Sequence, residues 1–142
     1  RDLEALIAPR RTHGDLARAR FGVRGILGEV AAGLPAVFEV ALPAYRAAAR
    51  AGADRDTASF AALARLMQTV EDTTALHRCG PAGLATLRED GALLEARVRQ
   101  GDHLAFLRER NAAYARSGLT MGGVADLLGV AFGWLFAQGE RG

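Results

Sequence analysis

The chain contains no lysine, so all 18 of its basic side chains are arginine. Guanidinium groups suit bidentate phosphate contacts, but a GC-rich coding sequence favouring Arg and Ala is the simpler explanation. Cysteine is nearly absent as well. Cys79 alone cannot form an internal disulfide and suits a reducing, cytoplasmic compartment. Aromatic residues make up only 6% of the sequence. None interleaves with the one basic cluster, Arg10, Arg11, Arg18, Arg20 and Arg24, for base stacking. Acidic and basic residues alternate to a net charge of only +2, which argues against a nucleic-acid partner. No apolar leader follows the charged start, so no signal peptide is expected. The first residue is Arg1 rather than Met, which leads us to expect a missing beginning.

Long apolar runs are rare too. One stretch, residues 119–137, holds a single charge, Asp126, and contains the pair Gly129 and Gly133. Its length approaches that of a membrane span. A central Asp costs roughly 2.5 to 3.5 kcal/mol on insertion, however, and basic anchors are missing from its flanks. A helix buried in a soluble core is the expectation, and no membrane association is foreseen.

What the chain does have is helix formers. Half the residues are hydrophobic, mainly Ala, Leu and Val, and apolar positions recur at steps of three and four. Leu16, Ala19, Val23, Ile26 and Val30 predict a helix over 14–32, which Gly33 ends. Pro35 then opens the next, and Pro43 is expected to break or kink that helix around Ala41 and Leu42. Asp54 is a candidate N-cap for a helix reaching about Val70, burying Phe60, Leu63, Leu66 and Met67. Pro81 is expected to restart a helix running to about Arg99, with Leu84, Leu87, Leu94 and Val98 inward. Another helix covers 103–115, and Thr120 is the expected cap of the last. The prediction is an all-α chain over residues 1–142, one domain of about six antiparallel helices joined by short turns.

Three polar islands interrupt the apolar pattern. In the first, residues 21–35, glycines 22, 25 and 28 weaken a helix by up to about 1 kcal/mol each. They signal either a close helix crossing or a ligand. Arg24, Gly28 and Glu29 lie together there, as solvated charges or as site residues. The second, residues 71–80, gathers Asp72, two threonines, His77 and Arg78. Such a mixture can bind metal, hold phosphate or move a proton. Equally, it can be a helix end with an ordinary Asp72–Arg78 ion pair. The third opens the last helix, where Gly122, Asp126, Gly129 and Gly133 share one face at steps of four, three and four. Asp126 is expected to be buried, and a buried carboxylate requires a partner. Backbone N–H groups around Gly122 and Gly123 could receive phosphate. His103 reads as a surface residue, and the lone Cys79 lacks a convincing base to activate it.

In this order the islands resemble the C-terminal motifs of the triphosphoribosyl-dephospho-CoA synthase family. Residues 21–35 are similar to its YGxRGAxGEAxxGFP segment, 72–80 to DTxLLHRGG, and 119–128 to LSPGGSADLL. Departures are Leu34 for Phe, Cys79 for Gly, Met121 for Pro, Val124 for Ser, and Ile26-Leu27 for a small-plus-Arg pair. Family members are roughly twice as long, and their SPxxxGAHxDM and NTHKG motifs have no counterpart here. The stretch 11–14 echoes the latter only superficially. The chain therefore resembles the C-terminal half of such a synthase, as a fragment, a short form or a diverged relative.

The resemblance implies a transferase that moves the triphosphoribosyl group of ATP to the ribose 2′-hydroxyl of 3′-dephospho-CoA, releasing adenine. The product is a prosthetic-group precursor for citrate lyase or malonate decarboxylase. Glycosyl transfer of this kind passes through an oxocarbenium-like state. The implied roles are Asp72 and Asp126 as ligands of Mg²⁺ on the triphosphate, with Arg24, Arg78 and the Gly122-Gly123 amides neutralising it. Glu29 is the candidate base or cation stabiliser, and His77 the second candidate. Two alternatives stay open: a non-catalytic helical module binding nucleotide or a partner, and a related ATP-dependent transferase with another acceptor. Lost interior surface makes a homodimer, or a partnering N-terminal half, the expected assembly.

Overall fold

Residues 28–30 and 32–139 are described by the computed structural model. Most of the helix expected over 14–32, with Arg24, lies outside them; residues 28–30 at its end are helical. Among the described residues a π-helical turn, Ala36–Ala41, follows and leads into five α-helices. These are α1 (Leu42–Arg50), α2 (Arg55–Thr69), α3 (Thr73–Gln100), α4 (His103–Ser117) and α5 (Gly122–Ala137). Among the described residues there is no strand, so the all-α expectation holds.

Local chemistry accounts for most boundaries. Asp54 caps α2 as expected, its Oδ1 accepting the Thr57 N–H at 2.8 Å. Gly101 and Gly118, both in the left-handed region, close α3 and α4. The break or kink expected around Ala41 and Leu42 takes the form of a change from π to α winding there, with no interruption of the helix. Pro43 sits in the first turn of α1, and the preceding turn widens so that Leu42 N–H bonds Val37 O, five residues back. A proline ring clashes with the carbonyl four residues earlier, and the wider π spacing relieves that clash without ending the helix. The helix predicted to restart at Pro81 already begins at Thr73, inside the second polar island. It kinks at Gly80 (φ 67°, ψ −165°), a conformation open to glycine, and Pro81 resumes from there.

The core lies between α2 and its neighbours, which pack on it from several sides: α1, α3, α5 and the π turn. Ala58, Ala62, Leu66, Leu87, Leu94, Val124 and Leu127 are fully enclosed. The α2–α3 contact is unusually close at Gly91. A methyl there would stand 2.7 Å from Met67 Cβ and 2.9 Å from the Ala64 carbonyl oxygen. His103, read as a surface residue, is buried and tilts against Phe60 with ring centroids 5.1 Å apart.

A candidate functional site at two helix N-termini

Two of the three motifs meet at one carboxylate. Asp72 has no solvent exposure at all. Its Oδ1 accepts the N–H groups of Thr74 (2.9 Å) and Ala75 (3.0 Å), capping α3. Its Oδ2 accepts the N–H of Val124 at 2.9 Å, in the first turn of α5. One side chain thus caps two helices, and the positive ends of both helix dipoles converge on its charge. This explains why Thr120 does not cap α5 as expected: its Oγ1 is buried without a hydrogen-bond partner, and the cap comes from α3 instead.

The glycines of the third motif follow from this clamp. A methyl on Gly123 would stand 3.3 Å from the Asp72 carboxyl carbon, and one on Gly122 2.9 Å from Thr74 Oγ1. Small residues let the first turn of α5 lie directly against the first turn of α3. The departure Val124 supplies the clamped N–H and is fully buried.

The remaining candidates are placed around this junction in different ways. His77 and Arg78 are exposed on the first turns of α3. Asp126 is exposed on α5, contrary to its expected burial, and Gly129 and Gly133 on the same face have open space before them. Glu29 is half-buried, and its Oε2 accepts the Ala36 N–H at 3.0 Å, tying the first motif to the start of the π turn. Between them Leu34 takes a left-handed φ of 57°, costly for a side chain with a Cβ. Arg24 lies outside the described residues.

The first turns of α3 and α5 form an electropositive frame whose anion is already supplied from within. Among the described residues, no group of three or more His, Cys, Asp or Glu side chains could hold a metal ion. Asp72 is wholly enclosed with both oxygens bonded to backbone N–H groups, so these residues do not make a preformed metal cage.

Beside this frame opens a cleft of about 390 Å³ between α2, α3 and α4. Met121, the residue preceding Gly122, lines it together with Phe60, Met67, Leu94, Leu107, Arg110 and Tyr114. Sequence reasoning missed the polar group at its wall. Tyr114 donates to Asp90 Oδ2 at 2.7 Å, and Arg110 approaches Asp90 Oδ1 at 3.5 Å. Burial, the hydrogen bond to Asp90 and the charge of Asp90 push the Tyr114 hydroxyl above the ordinary tyrosine range, Arg110 opposing them. The only signal in the sequence was an acid, Asp90, at an inward-facing position of α3.

A family model described as ATP:dephospho-CoA triphosphoribosyl transferase matches residues 1–141. A protein of Pectobacterium carotovorum subsp. carotovorum is 39% identical over 124 residues, covering 87% of this chain and 40% of its own length. One of Azotobacter vinelandii is 37% identical over 122 residues, or 84% of this chain and 41% of its length. One of Acinetobacter calcoaceticus is 32% identical over 131 residues, or 91% and 45%. All three bear the name "Probable 2-(5''-triphosphoribosyl)-3'-dephosphocoenzyme-A synthase". The chain spans about two-fifths of the length of these relatives. No solved structure matches it. Among the described residues no helix is long and apolar enough to cross a membrane.

Proposed function

Since this chain belongs to the ATP:dephospho-CoA triphosphoribosyl transferase family, we propose that it forms one wall of that enzyme's site. The reaction moves the triphosphoribosyl group of ATP to the ribose 2′-hydroxyl of dephospho-CoA and releases adenine. The observation that supports this reading is the Asp72 clamp, which joins the second and third motifs at two helix N-termini.

In this reading the triphosphate lies along the first turn of α5 on the side away from Asp72 and Thr74, drawn to the N–H groups of Gly122 and Gly123. Arg24 and Arg78 neutralise its outer charges. Mg²⁺ arrives bound to ATP as part of the substrate, with the exposed Asp126 as its protein ligand. Mg²⁺ is commonly held this way, through one or two carboxylates plus phosphates. Asp72 acts chiefly by positioning; a bond from it to the cation would require its enclosed Oδ2 to open. Glu29 serves as base toward the attacking hydroxyl or as stabiliser of the oxocarbenium-like ribose, with His77 the second candidate. The cleft at Met121 lies where the acceptor's long pantetheine arm could leave the phosphate region. An ATP-using biosynthetic enzyme with a free Cys79 fits the cytoplasm. The remaining share of the enzyme comes from a further segment or a second chain.

The test is adenine release from Mg·ATP, followed chromatographically, with this chain alone and with it fused to the unmatched part of the Azotobacter relative. Release that depends on dephospho-CoA supports the transferase. ATP cleavage indifferent to dephospho-CoA points to another acceptor, and none in either protein removes the catalytic reading. Glu29→Gln should lower turnover by ~10²-fold or more if Glu29 handles a proton; near-normal turnover would pass that role to His77.

A further inference from the structure

The last helix carries one charge, Asp126, and is otherwise apolar, yet only one stripe of it is buried. Val124, Leu127, Ala131 and Leu135 are buried against the core, at steps of three, four and four. At about 100° per residue, the opposite side of α5 presents Gly129 and Gly133 at its centre. A methyl on either glycine would meet nothing within 4 Å. Val130 and Trp134 rise on one flank of these glycines and Phe132 on the other, 42%, 41% and 37% exposed. Phe38 of the π turn extends the first flank, edge-on to Trp134 with ring centroids 5.0 Å apart. A glycine floor between bulky apolar walls is the shape that receives another helix at close range. Small residues let backbones approach, and the flanking side chains enclose the incoming ridge.

We infer that this outer face of α5 is the docking surface for an apolar helix from the remainder of the synthase. The remainder is the part that the relatives carry and this chain does not match. The lengths make the case for that occupant. Relatives match 84–91% of this chain but carry 55–60% of their own length outside the match. A segment of that size that packs on this one buries apolar surface at the boundary, and α5 offers such a surface among the described residues. The face also starts at Asp126, one turn from the Gly122-Gly123 turn, so a helix docked there would reach the junction clamped by Asp72. The inference rests on family membership and on the surface, not on the proposed catalytic roles.

The test uses two proteins: this chain, and this chain fused to the unmatched part of the Azotobacter relative. Hydrogen exchange of α5 amides, resolved by mass spectrometry, is compared between them. The expected result is at least tenfold slower exchange over 122–137 in the fusion, largely abolished by Gly129→Leu with Gly133→Leu. In this chain alone the same double variant should leave the far-UV spectrum and melting unchanged or improved, because both positions open onto free space. Equal exchange in the two proteins, or protection that survives the double variant, would overturn the inference. Should the fusion not fold, the chain alone still decides. Trp134 is the sole tryptophan, so acrylamide quenching reports directly on this face. An open, readily quenched Trp134 in a sedimenting monomer is expected. A shielded Trp134 in a monomer would assign the face to this chain's own first residues. A shielded Trp134 in a dimer released by the double variant would assign it to a second copy. Either result would overturn the inference and leave the adenine-release test untouched.

Discussion

Asp72 and Val124 are 52 positions apart, and the bond between them carries no local signature. A cap such as Asp54 is legible because its acceptor and donor lie three residues apart. The same residue type at 72 was equally visible as polar chemistry, but its second partner depends on how α5 docks. Thr120 and His103 were misread for the same reason: a helix start looks exposed until another element covers it. The double cap has a measurable consequence. Replacing Asp72 by Ala leaves three N–H groups without their acceptor, two of them buried. Such losses cost about 1–3 kcal/mol per buried group, so a total of about 2–6 kcal/mol is expected in urea unfolding. Asp72→Asn keeps one acceptor oxygen but turns an amide NH₂ toward a donor, and about 1–3 kcal/mol should be lost. A residue whose role was only to hold a metal would leave metal-free stability unchanged in both variants. Tyr114 offers a second test. Its hydroxyl titrates above the ordinary tyrosine range in the folded chain. A raised folded value means stability is intact below the unfolded value, about 10, and is lost as pH rises from there toward the folded value. Denaturant midpoints should therefore fall above about pH 10, and the fall should shrink in Tyr114→Phe. The same variant should lose about 1–3 kcal/mol at neutral pH, because Asp90 keeps only Arg110 beside it.

At the scale of elements, periodicity gave the helices, and what it left out was how they meet. Gly91 lies inside α3, where glycine weakens a helix. Its reason lies across the interface, where Ala64 O and Met67 Cβ of α2 would touch any Cβ. Gly91→Ala gains about 1 kcal/mol of helix propensity in principle. It must also push α2 and α3 apart against a rigid backbone carbonyl, and overpacking of this kind costs about 1–3 kcal/mol. The expected outcome is a net loss in thermal unfolding; a gain would mean that the helices slide apart easily. Pro43 illustrates the opposite case, where the local rule located the irregularity but not its form. The lost N–H and the ring clash are real, but one π turn absorbs them, and Phe38 in that turn packs edge-on against Trp134 of α5. Residues 122–137 were legible as an apolar helix, whereas their half-open placement was not. Apolar character on nearly all sides indicates burial somewhere, and sequence alone does not say in which chain or segment.

On the whole-molecule scale, the two motifs that meet at Asp72 belong to parts of the structure with unequal support. Helices α2 and α3 bury most of their inner faces against each other, with Ala58, Ala62, Leu66, Leu87 and Leu94 fully enclosed. Helix α5 contributes a single buried stripe and hangs on the core through Val124, Leu127, Ala131 and Leu135. Local opening follows buried apolar contact, so native-state exchange should rank α2 and α3 slowest and α5 markedly faster. The clamp is the polar tie recorded between α5 and α3. In Asp72→Ala, exchange in α5 should therefore rise more than in α2 at denaturant concentrations well below the global transition. Uniform acceleration would show that the molecule opens as one unit and that the clamp acts on global stability alone. Selective opening of α5 has a functional corollary. When α5 lifts, the Gly122-Gly123 turn leaves the end of α3, and the second and third motifs are no longer held together. Protection of α5 and dephospho-CoA-dependent adenine release should then fall in parallel across Asp72→Asn, Asp72→Ala and the unsubstituted protein. Activity that disappears while α5 stays protected would assign Asp72 to the chemistry itself rather than to the placement of its neighbours.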